Sequence, residues 1–132
     1  MNEKELVELA KKARENAYAP YSKFKVGAAV IANDDRVFLG ANIENASYGL
    51  CMCAERNALF NAVSNGIKPK EIKALVIIAD TDKPVSPCGA CRQVIEELLS
   101  KDTPIILSNL HGDIKITNSV ELLPYAFSES DL

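Results

Sequence analysis

A chain of 132 residues, 48% hydrophobic and 25% charged, buries about two-thirds of its unfolded surface and needs neither metal nor disulfides merely to fold. Its net charge of -3, with lysines interleaved among acids, argues against nucleic acid as a partner, because phosphate backbones demand a cationic face. The apolar runs are strand-sized, short of the ~20 residues of a membrane span, and the charged stretch MNEKELVELAKKAREN is no signal peptide, so no membrane partner and a cytoplasmic location are expected.

In chain order, Asn2 and Glu5 resemble a capping box, and Leu6, Leu9, Ala10, Ala13 and Ala17 recur at helical spacing, predicting a first helix that ends before Pro20. KFKVGAAVIA reads as a strand, NDDR as a turn and VFLGANIEN as an antiparallel partner strand, since so short a connection permits nothing else. CAERNALFNAVS predicts a second helix with Leu59, Ala62 and Val63 on one face, stopped by Asn65 and Gly66.

EIKALVIIAD is almost continuously apolar, as expected of a central strand covered on both faces. The polar loop TDKPVSPCGA leads into CRQVIEELLS, a third helix with Val94, Ile95, Leu98 and Leu99 inward. PIILSNL and DIKIT form a last antiparallel pair about the turn HGD, where His111 reads as a turn residue, and SVELLPYAF closes the chain. The order α-β-β-α-β-α-β-β-α implies one α/β domain over 1–132, a three-layer α/β/α sandwich about a five-stranded mixed sheet.

Two cysteine clusters stand where helices begin. CMCAER places Cys53 at the start of the second helix, and SPCGACRQV places Cys88 and Cys91 at the start of the third, with 34 residues between Cys53 and Cys88. Both follow strands, so both helix starts are expected at the carboxyl ends of the sheet, where ligand crevices form. A helix N-terminus favours thiolate over thiol, and thiolate is what binds a soft divalent cation such as zinc. Three protein ligands leave a fourth tetrahedral position for water, which turns acidic, and an open site implies chemistry.

Glu55, two residues past Cys53, is better placed beside such a metal than on it and suits proton transfer. Three thiolates overcompensate a divalent cation, so a nearby cation is expected to offset them: Arg56 first, Arg92 second. Other readings remain open here. The CxxC could be a thioredoxin-like redox pair, although that leaves Cys53 and Glu55 unexplained. Cys51, outside the motif, is either a core or interface residue or a fourth thiolate that would close the site into a noncatalytic zinc module.

CAER followed by PCGAC resembles the zinc nucleoside deaminases, whose pattern is (H or C)xE followed by PCxxC. AYAPYSKFKVGAA, NIENASY and LLPYAF extend the likeness over nearly the whole chain, to the small homotetrameric cytidine deaminases; Cys53 in place of histidine points to the three-cysteine branch. The resemblance implies one Zn2+ per subunit on Cys53, Cys88 and Cys91, and attack of activated water at C4 of the cytosine ring with Glu55 carrying the protons, in cytidine and deoxycytidine alike. It further implies that Asn42 and Glu44, two apart on one side of a strand, hold the ribose, and that Glu44 favours the nucleoside over its phosphate by charge repulsion. Phe24 would wall the nucleoside, Ala54 would offer its amide to the base, Tyr48 would lie near the sugar, and Phe127 would enter a neighbouring subunit's site.

Overall fold

A computed structural model describes residues Met1–Leu132. Nine elements follow in chain order: α1 (Glu3–Arg14), β1 (Val26–Ala32), β2 (Val37–Ala41), α2 (Ala54–Ser64), β3 (Ile72–Ala79), α3 (Gly89–Leu98), β4 (Ile105–Asn109), β5 (Ile114–Thr117) and α4 (Ser119–Leu122). One five-stranded sheet has the order β2-β1-β3-β4-β5. The pairs β1–β2, β1–β3 and β4–β5 are antiparallel, and β3–β4 is parallel. No helix is long and apolar enough to cross a membrane.

Strand alternation sorts the side chains into two cores. Ala29, Ile31, Val76, Ile78 and Ile106 face α1 and meet its Leu6 and Ala10. Ala28, Val30, Leu75, Ile77 and Ile105 face the other way, onto Ala58, Leu59 and Ala62 of α2 and Ile95 and Leu99 around the end of α3, with Leu122 of α4 in the same cluster. The result is a three-layer α/β/α sandwich with β3 at its centre.

Because β1 is antiparallel to both neighbours, β2 runs in the same direction as β3 and β4. The register aligns their carboxyl ends: Ala41 lies opposite Gly27, Gly27 opposite Ile78, and Ala79 opposite Asn109. The chain leaves β2 towards α2 and β3 towards α3 at this shared edge, so both helices begin there.

The boundaries differ from the sequence expectations for identifiable reasons. Asn2 caps α1, its Oδ1 accepting the Glu5 amide at 2.9 Å, but the helix ends at Arg14, and Ala17 sits half-buried beyond it. The first strand begins at Val26 rather than Lys23, because Lys23 adopts a left-handed φ of 62°. The second strand ends at Ala41, so Asn42 and Glu44 lie beyond it, joined only by isolated bridges of Ile43 to Tyr18 and Met52. Val63 is exposed; Ala54, Glu55, Ala58, Leu59 and Ala62 form the inward face of α2. Gly66 takes a φ of 96° just past this helix, as a C-terminal stop requires.

Two strand glycines control how closely the helices approach. A Cβ on Gly27 would lie 2.1 Å from the Ala10 carbonyl oxygen in α1, and one on Gly40 would lie 2.3 Å from the Ala58 nitrogen and 2.6 Å from the Ala54 oxygen in α2. The α2 contact is reinforced by Asn57, which donates to the Ala41 carbonyl at 2.7 Å, and Asn61, which donates to the Leu39 carbonyl at 3.3 Å. Gly40→Ala forces backbone apart from backbone, and urea unfolding is expected to register a loss of about 1–3 kcal/mol. An unchanged midpoint would show that the helix and strand yield without cost.

Candidate metal and catalytic site

Cys53 and Cys88 occupy equivalent positions as the N-caps of α2 and α3. Cys91 lies in the first turn of α3 and is fully buried. Neither cap side chain accepts a backbone amide of its own helix, and the two sulfurs face each other, with Cys53 Sγ 3.7 Å from Cys88 Sγ. All three sulfurs lie within 4.8 Å of one another. Metal–thiolate bonds of about 2.3 Å at the tetrahedral angle place sulfurs about 3.8 Å apart, so this spacing fits a zinc-sized ion.

Electrostatics around the sulfurs favour charge on Cys53. Hydrogen bonding from the Cys91 thiol and from Arg56 draws its pKa down to about 5, against the opposing effect of burial. The Cys91 thiol is pushed up, first because it donates to Cys53 and then by burial. One proton shared between them is the arrangement an incoming cation displaces. Arg56 approaches with a guanidinium nitrogen 3.5 Å from Cys53 Sγ, and these thiols raise its own pKa.

Glu55 is buried, with 5% of its surface exposed, at the second residue of α2. Burial above all, and then the Cys53 thiolate, raise its pKa, holding the proton on its carboxyl beyond the usual carboxylate range. A carboxyl of raised pKa beside a thiolate cluster is suited both to take and to return a proton. Ala54 heads the same helix, where a backbone amide has no partner within the helix.

The remaining residues singled out in the sequence fall around this edge of the sheet or on its outer rim. Asn42 grips the segment before β1 at both ends of its amide: Oδ1 accepts the Val26 amide at 2.8 Å and Nδ2 donates to the Phe24 carbonyl at 2.7 Å. Glu44 accepts the amides of Tyr21 and Ser22, and Phe24 is exposed. Tyr48 stands in a short turn over Tyr48–Leu50, with its ring edge-on to that of Tyr21 at 6.1 Å. Phe127 is exposed, its carbonyl accepting from Gln93 of α3 at 2.8 Å.

Arg92 does not offset the thiolates. Its guanidinium donates to the Pro87 carbonyl at 2.8 Å, the Leu122 carbonyl at 2.7 Å and the Ser86 hydroxyl at 2.6 Å. It clamps the loop before Cys88 to α4 instead. Cys51 stands outside the sulfur cluster: its Sγ accepts the Asn45 amide at 3.3 Å and lies 3.6 Å from the Asn45 carbonyl, closing the 45–51 loop. His111 sits in its turn, with its ring 3.3 Å from the Asp80 carboxylate.

Sequence reasoning missed the residues that hold this edge together, Asn57, Asn61 and Ser22. The signal available for the first two was a pair of asparagines at helical i, i+4 spacing beside a strand glycine.

A family model for the cytidine and deoxycytidylate deaminase zinc-binding region matches residues 1–107, including all three clustered cysteines and Glu55. The chain belongs to the cytidine and deoxycytidylate deaminase family. It is 54% identical to a cytidine deaminase of Sporosarcina psychrophila, over 100% of this chain and 96% of that one. It is 53% identical to a cytidine deaminase of Halalkalibacterium halodurans, over 100% of this chain and 98% of that one. The crystal structure of a cytidine deaminase from Burkholderia pseudomallei superposes with a TM-score of 0.94 at 54% identity, covering 96% of this chain and 100% of that chain. These deaminase relatives span nearly the whole chain, so the likeness is not confined to the cysteine motifs.

If the three clustered thiols are the ligands, Cys88→Ala or Cys91→Ala should carry less than about one-tenth of the metal found in the unaltered protein, since removing a ligand dismantles the site. Elemental analysis should find Cys51→Ala still loaded. Metal lost with Cys51 and retained without Cys91 would reverse the assignment.

Proposed function

We propose that the protein hydrolyses the C4 amino group of cytidine and deoxycytidine, releasing ammonia and leaving uridine or deoxyuridine, with one zinc ion per subunit on Cys53, Cys88 and Cys91. The observation that carries this reading is a buried carboxyl, Glu55, set beside three convergent thiols in a chain 54% identical to a named cytidine deaminase. Zinc in a three-thiolate set supplies Lewis acidity that makes water a nucleophile at neutral pH.

The chain's own groups do the rest. Glu55 takes a proton from the attacking water and delivers it to N3 of the ring as C4 becomes tetrahedral; it then takes the proton of the new C4 hydroxyl and passes it to the amino group, which leaves as ammonia as the C4 carbonyl forms. Its raised pKa suits both directions of transfer. Arg56, donating to Cys53, withdraws charge from the sulfur and so limits the loss of acidity that three thiolates cause. The Ala54 amide at the head of α2 holds the base, and Phe24 walls it.

Asn42 and Glu44 hold the ribose, Glu44 accepting from the 3'-hydroxyl, and Tyr48 lies near the sugar. Negative charge on Glu44 disfavours a phosphorylated substrate. The whole chain, 1–132, forms one domain and acts in the cytoplasm. Four copies assemble, and Phe127 of each completes a neighbouring site; its exposure and the tether of its carbonyl to Gln93 support a role outside its own subunit.

Glu55→Ala tests the central role. Conversion of cytidine, followed by the fall in cytosine absorbance, is expected to slow by about 10²–10⁴-fold or more while zinc content stays near one per chain. Turnover retained in zinc-loaded Glu55→Ala would remove this residue from the chemistry.

A further inference from the structure

Three donors from one short segment converge on the Glu44 carboxylate. The amides of Tyr21 and Ser22 donate to Oε1 at 3.0 and 3.1 Å, and the Ser22 hydroxyl donates to Oε2. The oxygen of that hydroxyl also accepts the Phe24 amide at 3.0 Å. Ser22 therefore touches the acid proposed for the sugar and the backbone of the aromatic residue proposed for the base wall. Between them Lys23 holds a left-handed φ of 62°, which a residue with a side chain keeps only where its surroundings fix it. Asn42, bonded to the Val26 amide and Phe24 carbonyl, anchors the far end of the same segment.

The acceptor capacity of Glu44 can be counted. A carboxylate offers about four lone-pair positions. Two amides fill those of Oε1, and the Ser22 hydroxyl fills one of Oε2. One position remains, enough for one hydroxyl group.

We infer that Ser22 is a positioning residue that sets sugar specificity: by occupying one lone pair of Glu44 Oε2 and capping the Phe24 amide, it leaves Glu44 a single acceptor of fixed direction and locks the wall residue beside it. The inference rests on the reading of Glu44 as the contact to the 3'-hydroxyl. These hydrogen bonds, that of the Ser22 hydroxyl foremost, also hold the Glu44 carboxyl below its ordinary range, so it stays an acceptor. Without the hydroxyl, Oε2 gains a second open position and the carboxylate can turn about its remaining bonds. A sugar hydroxyl then meets an acceptor of undefined direction already occupied by water. Ser22 is exposed, so its truncation leaves no cavity in the core.

Steady-state kinetics with cytidine and 3'-deoxycytidine test this in Ser22→Ala, Ser22→Thr and Glu44→Ala. Ser22→Ala is expected to raise KM for cytidine about ten-fold, the low end for losing a hydrogen bond to a charged group, with the loss falling in KM rather than kcat. KM for 3'-deoxycytidine should rise less, shrinking the preference for the 3'-hydroxyl, and Ser22→Thr, which keeps the hydroxyl, should restore it. A preference undiminished in Ser22→Ala but lost in Glu44→Ala overturns the role of Ser22 and leaves that of Glu44 standing. A preference that survives in Glu44→Ala sinks the reading of Glu44 and the inference with it. A fall in kcat at unchanged KM would also overturn it, assigning Ser22 to the geometry of the reacting centre.

Discussion

Three sulfurs crowded within 4.8 Å of one another are the constraint around which this molecule is arranged. Such a group cannot ionise fully by itself, and the opposed shifts of Cys53 and Cys91 express that conflict. A divalent cation resolves it, and two helix N-termini aimed at the same point, with Arg56 alongside, tilt the balance towards thiolate. The sandwich makes the meeting possible, because β2 and β3 point the same way across an intervening antiparallel strand and deliver both helices to one edge.

Placement of the acid follows from packing rather than from the sulfurs. Gly40 lets the backbone of α2 lie against β2, and Asn57 and Asn61 fasten it to the carbonyls of Ala41 and Leu39. The second residue of that helix is Glu55, buried at 5% exposure beside the cluster with its proton affinity raised. Desolvation and chemistry are linked in this residue, because burial is the first cause of its raised proton affinity.

Much of this was readable from residues alone. Short connections forced the two hairpins, the unbroken apolar run in β3 put that strand at the centre, and the paired motifs CAE and PCxxC brought Cys53, Cys88 and Cys91 to two helix starts. Tertiary hydrogen bonds were not readable. Arg92 follows a cluster cysteine and looked like a partner for sulfur, yet the carbonyls of Pro87 and Leu122 claim it, because α4 returns beside α3 in the folded chain. Cys51 is one residue from the motif, but its sulfur turns to the backbone of Asn45. Asn42 and Glu44 follow the alternation of a strand, whereas their side chains hold the segment before β1, a pairing across some twenty residues that no local pattern encodes.

Activity of the kind proposed requires a metal centre closed by sulfur on three sides and open to water on the fourth, so the coordination shell of the native metal is the most direct test. X-ray absorption at the zinc edge of freshly purified protein is predicted to return three sulfur scatterers at about 2.3 Å and one lighter oxygen neighbour. Four sulfurs, or a metal bound without any, would contradict it.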